Sequence, residues 1–313
     1  FSSIMGRSFL GLEVSRIRPS FRSGGRDVSA REMARAFETS GKKHLLLCVP
    51  GLFCDESLWD SFLELFAAMD YFPVTVRFNP GAPLGENGQA LLALMDEFLA
   101  EPPVAAALNL DFNRGLSSGL SFGRRPASSR QLRAIAYSQG CLILRSALYY
   151  ARQKRSALPA GMDRLLMIAP PDRGSYIEKW GFALAFVLSA LPGWPFELAA
   201  MIGNERSAAM QDLSHGLIRV EDRELEQGER AGAQRYFGEL DGIACSLCYS
   251  LVSQTENPVT NWIGDGVVEK ESLVALRKVY ERTGKVYELT GYSHFQILGA
   301  PELPQIIREV LEK

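Results

Sequence analysis

The chain is 313 residues long, 47% hydrophobic and 22% charged, with 34 Lys and Arg against 36 Asp and Glu for a formal charge of −2. The apolar fraction and the ordinary Gly and Pro content exclude a disordered or fibrous chain. The near-neutral balance provides no basic surplus for a nucleic-acid binder, and the length suits one large α/β domain or two ordinary ones.

The chain starts at Phe1 and not at Met, and reads as a fragment or a processed form. Residues 1–40 are rich in Arg and Ser and hold no apolar run long enough for a secretory signal. A short helical pattern falls around Ala30–Phe37. The whole stretch reads as a peripheral N-terminal arm.

The run from His44 to Pro50, bounded by Lys42-Lys43 and Pro50-Gly51, predicts a strand buried on both faces. An amphipathic helix follows, with Leu58, Trp59, Phe62, Leu63, Leu65 and Phe66 on one broad face and Asp55 or Ser57 as its cap. Phe72–Phe78 predicts a second strand and residues 86–100 a helix. Residues 101–129, rich in Gly, Ser, Pro and Arg, read as a loop excursion. Leu132–Tyr137 predicts a strand followed at once by a helix from Gln139 to about Arg152. Asp163–Ala169, Ser246–Val252 and Lys285–Thr290 predict further strands. A closing helix has Ile306, Ile307, Val310 and Leu311 on one face.

Alternation of strands and helices predicts an α/β fold, with a mostly parallel sheet covered on both sides. The interval 176–240 breaks the rhythm and reads as a helical insertion between core segments 41–175 and 241–313. Within it, Phe182–Ile202 approaches the length of a membrane span, but Pro192, Gly193, Pro195 and Glu197 divide it. Two apolar helices result, either plain core or a cap over an apolar pocket that contacts lipid or acyl chains.

The five cysteines form no disulfide framework. Cys245 and Cys248 spell C-x-x-C in an apolar strand with no second pair, which reads as structural and not as a metal site. Reduced thiols point to a cytoplasmic setting.

Ala136-Tyr137-Ser138-Gln139-Gly140 lies between a predicted strand and a predicted helix. A serine at such a turn has strained backbone and an exposed hydroxyl, and small residues two before and two after let strand and helix approach. A serine nucleophile needs a base, and the base a carboxylate. There are three histidines. His44 begins a buried strand, and His215 lies in the insertion. His294 follows the last strand, where sites of open α/β sheets gather, and is the expected base. Asp265, between Gly264 and Gly266, is the expected acid, with Asp172 its rival in the same chain order. The oxyanion donors are expected to be the N–H of Gln139 and that of Leu52, with Phe53 as second choice. Phe53, Tyr137, Phe182, Phe186 and Trp194 are expected to contact substrate.

These motifs resemble the α/β-hydrolase superfamily, lipase/esterase type, over residues 42–313. The resemblance rests on Val49-Pro-Gly-Leu-Phe53, Ala136-Tyr-Ser-Gln-Gly140, Gly264-Asp-Gly-Val-Val268 and Ser293-His294. Ala169-Pro-Pro-Asp-Arg-Gly-Ser175 is similar to the turn from which such lipases open into a cap. Pro50 stands where many members have His, and Ala136 where most have Gly. The nearest branch holds triacylglycerol lipases and GPI-inositol-deacylase-like hydrolases. The resemblance implies cleavage of a carboxylic ester or lipid without cofactor or metal, through an acyl-enzyme. A thioesterase, an amidase, an acyltransferase, or a non-catalytic lipid- or partner-binding member of the fold are the alternatives. Transient membrane contact through the cap is expected, and no nucleic-acid partner.

Overall fold

A computed structural model describes residues 18–52, 54–79, 81–110, 131–175, 208–224, 234–255 and 257–312. Eight strands form one sheet: β1 Ser20–Ser23, β2 Arg26–Val28, β3 His44–Val49, β4 Tyr71–Arg77, β5 Leu132–Tyr137, β6 Met162–Ile168, β7 Ala244–Leu251 and β8 Val286–Thr290. Their spatial order is β2-β1-β4-β3-β5-β6-β7-β8. The six strands from β4 to β8 in that order are parallel. The central ones are the continuous apolar runs of the sequence: β3 after His44 and all of β5 are buried. Strands covered on both faces leave no side for polar residues.

The chain leaves β3 to form β4 on one side, then returns to place β5 on the other side of β3. The crossovers from β4 to β5 and from β5 to β6 both run towards β8. Right-handed crossover puts both helices, Leu84–Ala100 and Gln139–Gln153, on one face of the sheet, and they pack on each other. The contact is close, since a Cβ on Gly88 would lie 2.1 Å from Ser146 Oγ. On the opposite face the C-terminal helix Leu303–Glu312 buries Leu303, Ile306, Ile307, Val310 and Leu311. The Tyr71 hydroxyl donates to the carbonyl of Leu311 at 2.8 Å.

Two expectations need correction. The N-terminal segment is not a peripheral arm over residues 20–40. Strands β1 and β2 form a hairpin, and β1 pairs antiparallel with β4. The helix Ala30–Ser40, capped by a reciprocal Ser29–Glu32 box, buries Met33, Ala34 and Phe37. The short polar strands showed no apolar alternation because an edge hairpin buries little beyond Phe21. Second, the segment after β3 is a 3₁₀ turn, Glu56–Phe62, followed by a short helix, Leu63–Ala68, and not one amphipathic helix. Asp55 caps it, accepting from the Ser57 N–H at 3.0 Å.

Within the expected loop excursion, residues Pro102–Leu108 form a helix. Of the expected insertion, the described residues contain the helix Ala208–His215 and a 3₁₀ turn Glu221–Glu224. Phe182, Phe186 and Trp194 lie outside the described residues. Among the described residues, no helix is long and apolar enough to cross a membrane. Cys245 and Cys248 are buried in β7, and their odd spacing along the strand turns them to opposite faces.

Phe21→Ala should reduce unfolding free energy by about 3–5 kcal/mol, as for other buried aromatics. A change within about 0.5 kcal/mol in urea denaturation would instead mark residues 18–40 as peripheral.

Candidate active site

The strand order reverses between β3 and β5, and the crevice at the carboxyl ends of strands at such a switch point is where open α/β sheets bind ligands. Two loops meet there. One follows β3 and holds Pro50, Gly51 and Leu52. The other is the turn from β5 into the helix Gln139–Gln153.

Ser138 occupies that turn with φ 54° and ψ −127°. A non-glycine residue at positive φ is strained and persists only where its surroundings over-determine it. Here the Ser138 N–H donates to the Ile168 carbonyl at 2.8 Å, and the Ser138 carbonyl accepts from Cys141 at 3.0 Å. The helix start lies directly against the end of β3. A Cβ on Gly140 would lie 2.4 Å from the Pro50 carbonyl oxygen and 2.6 Å from that of Val49. One on Gly51 would lie 2.9 Å from the Tyr137 ring and 3.1 Å from Ser138 Cβ. Alanine suffices at position 136, where the chain is still in β5, paired with Val49 and Met167.

The Ser138 Oγ is 2.8 Å from His294 Nε2, and His294 Nδ1 is 2.5 Å from Asp265 Oδ2. A carboxylate only accepts, so the ring proton belongs on Nδ1, leaving Nε2 to accept from the Ser138 hydroxyl. All three side chains are buried. The other oxygen of Asp265, Oδ1, accepts from the N–H groups of Val267 at 3.0 Å and Val268 at 2.8 Å. Both flanking glycines have positive φ, 60° at Gly264 and 92° at Gly266. A Cβ on Gly264 would lie 1.9 Å from the Val268 carbonyl oxygen. The tight loop through Gly264-Asp-Gly266 thus depends on glycine for both conformation and space. The Ser175 hydroxyl also donates to the Val267 carbonyl, tying the end of β6 to this loop.

Asp172 is held elsewhere. It is fully buried, with Arg145 Nη1 at 2.8 Å from Oδ1 and the Tyr280 hydroxyl donating to Oδ2 at 2.7 Å. Arg145 also donates through Nε to Glu239 at 2.8 Å and through Nη2 to the Arg235 carbonyl. Burial pushes the Asp172 carboxyl above its ordinary value, against the opposing pull of Arg145. This ionic cluster joins the helix that follows Ser138 to the end of β6 and to the chain entering β7. Arg145 is the one charged residue in the stretch Cys141–Leu148, and that is the sequence signal for the cluster, since a buried guanidinium requires buried carboxylates.

The remaining candidates separate cleanly. His44 is at the amino end of β3, remote from the carboxyl ends, and burial pulls its imidazole below its ordinary value. His215 bonds locally to Ser214 and to the Gln211 carbonyl. Leu52 is buried in the loop beyond β3, and Gln139 opens its helix, where first-turn N–H groups have no intrahelical acceptor. Phe53 lies outside the described residues. Tyr137 is not placed as a substrate contact. It is 1% exposed, its ring lies against that of His294, and its hydroxyl donates to the His294 carbonyl at 2.8 Å. The residue ahead of Ser138 is still within β5, where both faces are covered.

No protein-family model matches the chain, and no curated protein matches it by sequence. Among solved structures, the mature form of Bacillus licheniformis lipase BlEst2 aligns over 86% of this chain and 93% of its own, at 15% identity and a TM-score of 0.51. An esterase from Pyrococcus furiosus aligns over 87% of this chain and 82% of its own, at 12% identity and a TM-score of 0.48. A lipase-esterase related protein from Clostridium acetobutylicum aligns over 87% and 96%, at 12% identity and 0.47. With the parallel sheet and its flanking helices, the first of these likenesses establishes the α/β-hydrolase fold for this chain.

Asp172→Ala should cost about 3–5 kcal/mol in unfolding, because it strands a buried arginine, while leaving the ring ¹⁵N resonances of His294 unchanged. Asp265→Ala should shift those resonances. The opposite pattern would make Asp172 the partner of His294.

Proposed function

We propose that this protein is a serine hydrolase of carboxylic esters. The observation that carries the reading is the hydrogen-bonded chain from Ser138 through His294 to the buried Asp265, at the switch point of the sheet. In this mechanism His294 Nε2 takes the hydroxyl proton as Ser138 Oγ attacks the ester carbonyl. Asp265 fixes the tautomer and stabilises the imidazolium. The N–H groups of Gln139 and Leu52 receive the oxyanion. Collapse expels the alcohol, which takes the proton from His294. Water, deprotonated by the same ring, then releases the acid from the acyl-enzyme. The substrate class we favour is an ester with a long or bulky acyl group, bound by apolar contact, including a lipid at a membrane surface.

Ser138→Ala should abolish both ester turnover and labelling by a fluorophosphonate probe. Labelling at another residue, or equal labelling of the variant, would remove Ser138 from the role. Asp265→Asn should lower kcat by about 10³–10⁴-fold with little change in KM, since it leaves the histidine in the wrong tautomer. Rates on p-nitrophenyl esters of increasing acyl length, with and without micelles, test the substrate class. A short-acyl optimum would replace the lipase-like reading by a short-chain esterase. Turnover that needs an added alcohol acceptor would replace hydrolysis by acyl transfer.

A further inference from the structure

The imidazole of His294 must reach Ser138 from the far edge of the sheet. Ser138 follows β5 and His294 follows β8, three strand spacings away, or about 14 Å. Among the described residues, strand β8 pairs with β7 alone, and it is only partly buried. The turn behind it has open space at Gly291, where an added Cβ would meet nothing within 4 Å. A long reach from an edge strand is a poor way to hold a ring within a few tenths of an ångström.

The backbone of His294 is fixed at both of its peptide groups. Its N–H donates to the Asp265 carbonyl at 2.8 Å, and its carbonyl accepts from the Tyr137 hydroxyl at 2.8 Å. The Tyr137 and His294 rings are 5.2 Å apart between centroids, inclined at 35°. The Tyr137 ring is also close to Gly51, where an added Cβ would lie 2.9 Å from Cδ1. Tyr137 directly precedes Ser138, so the three segments joined by the side chains of Ser138, His294 and Asp265 are joined again beside them.

On the hydrolase reading given above, we propose that Tyr137 is a positioning residue for the base. Its hydroxyl holds the His294 main chain over Ser138, and its ring sets the spacing between the base and the loop after β3. Burial pushes the hydroxyl well above its ordinary value, so it remains a protonated donor.

Tyr137→Phe keeps the ring and removes the donor. Full-length protein should then lose about ten- to hundredfold in kcat, the range expected from displacing a reacting group by up to an ångström. KM should stay within roughly twofold of the parent. The low-field proton resonance of His294 Nδ1–H should shift and broaden. Replacing Tyr137 by 4-aminophenylalanine, which restores an N–H donor, should recover kcat and the resonance. Tyr71→Phe is the control: it removes a buried tyrosine-to-carbonyl bond at the opposite end of the sheet and should lower stability without changing either readout.

Unchanged kcat and resonance in Tyr137→Phe would overturn the proposal, as would a raised KM at constant kcat, which would mark a substrate contact. If the phenylalanine variant fails to fold, failure of the aminophenylalanine variant to retain the parental kcat and resonance overturns it equally. The low-field resonance separates the two readings. A parent protein without ester turnover, but with a resonance that responds to Tyr137→Phe, would sink the hydrolase assignment and keep the brace.

Discussion

The site depends on one close approach. The first turn of the helix Gln139–Gln153 rests on the carbonyls of Val49 and Pro50, where β3 ends, at a distance that leaves no room for a methyl group on residue 140. That contact forces the turn from β5 into the helix to be so short that Ser138 must adopt a positive φ. The strain is distributed over a bond to β6, a bond within the helix start and the packing of the Leu84–Ala100 helix through Gly88. A hydroxyl placed by backbone geometry in this way needs no help from its own rotamer to project from the end of the sheet.

The same approach sets the spacing between two backbone segments. Gly51 lies within contact distance of Tyr137 and Ser138, so the loop after β3 and the start of the helix form opposite walls of one crevice. Reversal of strand order at β3 opens that crevice. What the reversal does not supply is a base. The strands that follow β5 are added one after another towards β8, so a side chain at the end of the chain must return across β6 and β7. The Asp265 loop after β7 stands between, and its bonds to His294 through both side chain and main chain bridge part of that distance.

Much of this was legible in the sequence, for identifiable reasons. Buried parallel strands announce themselves as apolar runs, and the glycines around Asp265 marked a tight loop from which a short carboxylate projects. The edge hairpin was hidden because Ser20–Ser23 and Arg26–Val28 are short and largely polar, and the pair joins the rest of the sheet through β1 alone. The bond from Tyr137 was hidden because its partner is a backbone carbonyl 157 residues away, and no residue type in the sequence marks such an acceptor. From sequence, a tyrosine next to the candidate nucleophile reads as a wall of the pocket; in the structure it is buried against His294.

The two aspartates show where chain order ceases to inform. Asp172 and Asp265 both follow parallel strands, both precede His294 and both are buried. Their environments divide them. Asp265 is satisfied by two backbone N–H groups on one oxygen, and its other oxygen faces a single imidazole. Asp172 is satisfied on one oxygen by a guanidinium and on the other by a tyrosine hydroxyl. A carboxylate already committed to a permanent cation gains little from a second one, whereas a carboxylate balanced only by dipoles gains most when the ring beside it becomes charged. Among the described residues Asp265 has no bonded arginine or lysine, so its carboxylate is the one suited to respond to a charge on the ring, whereas the arginine beside Asp172 ties that residue into the fold.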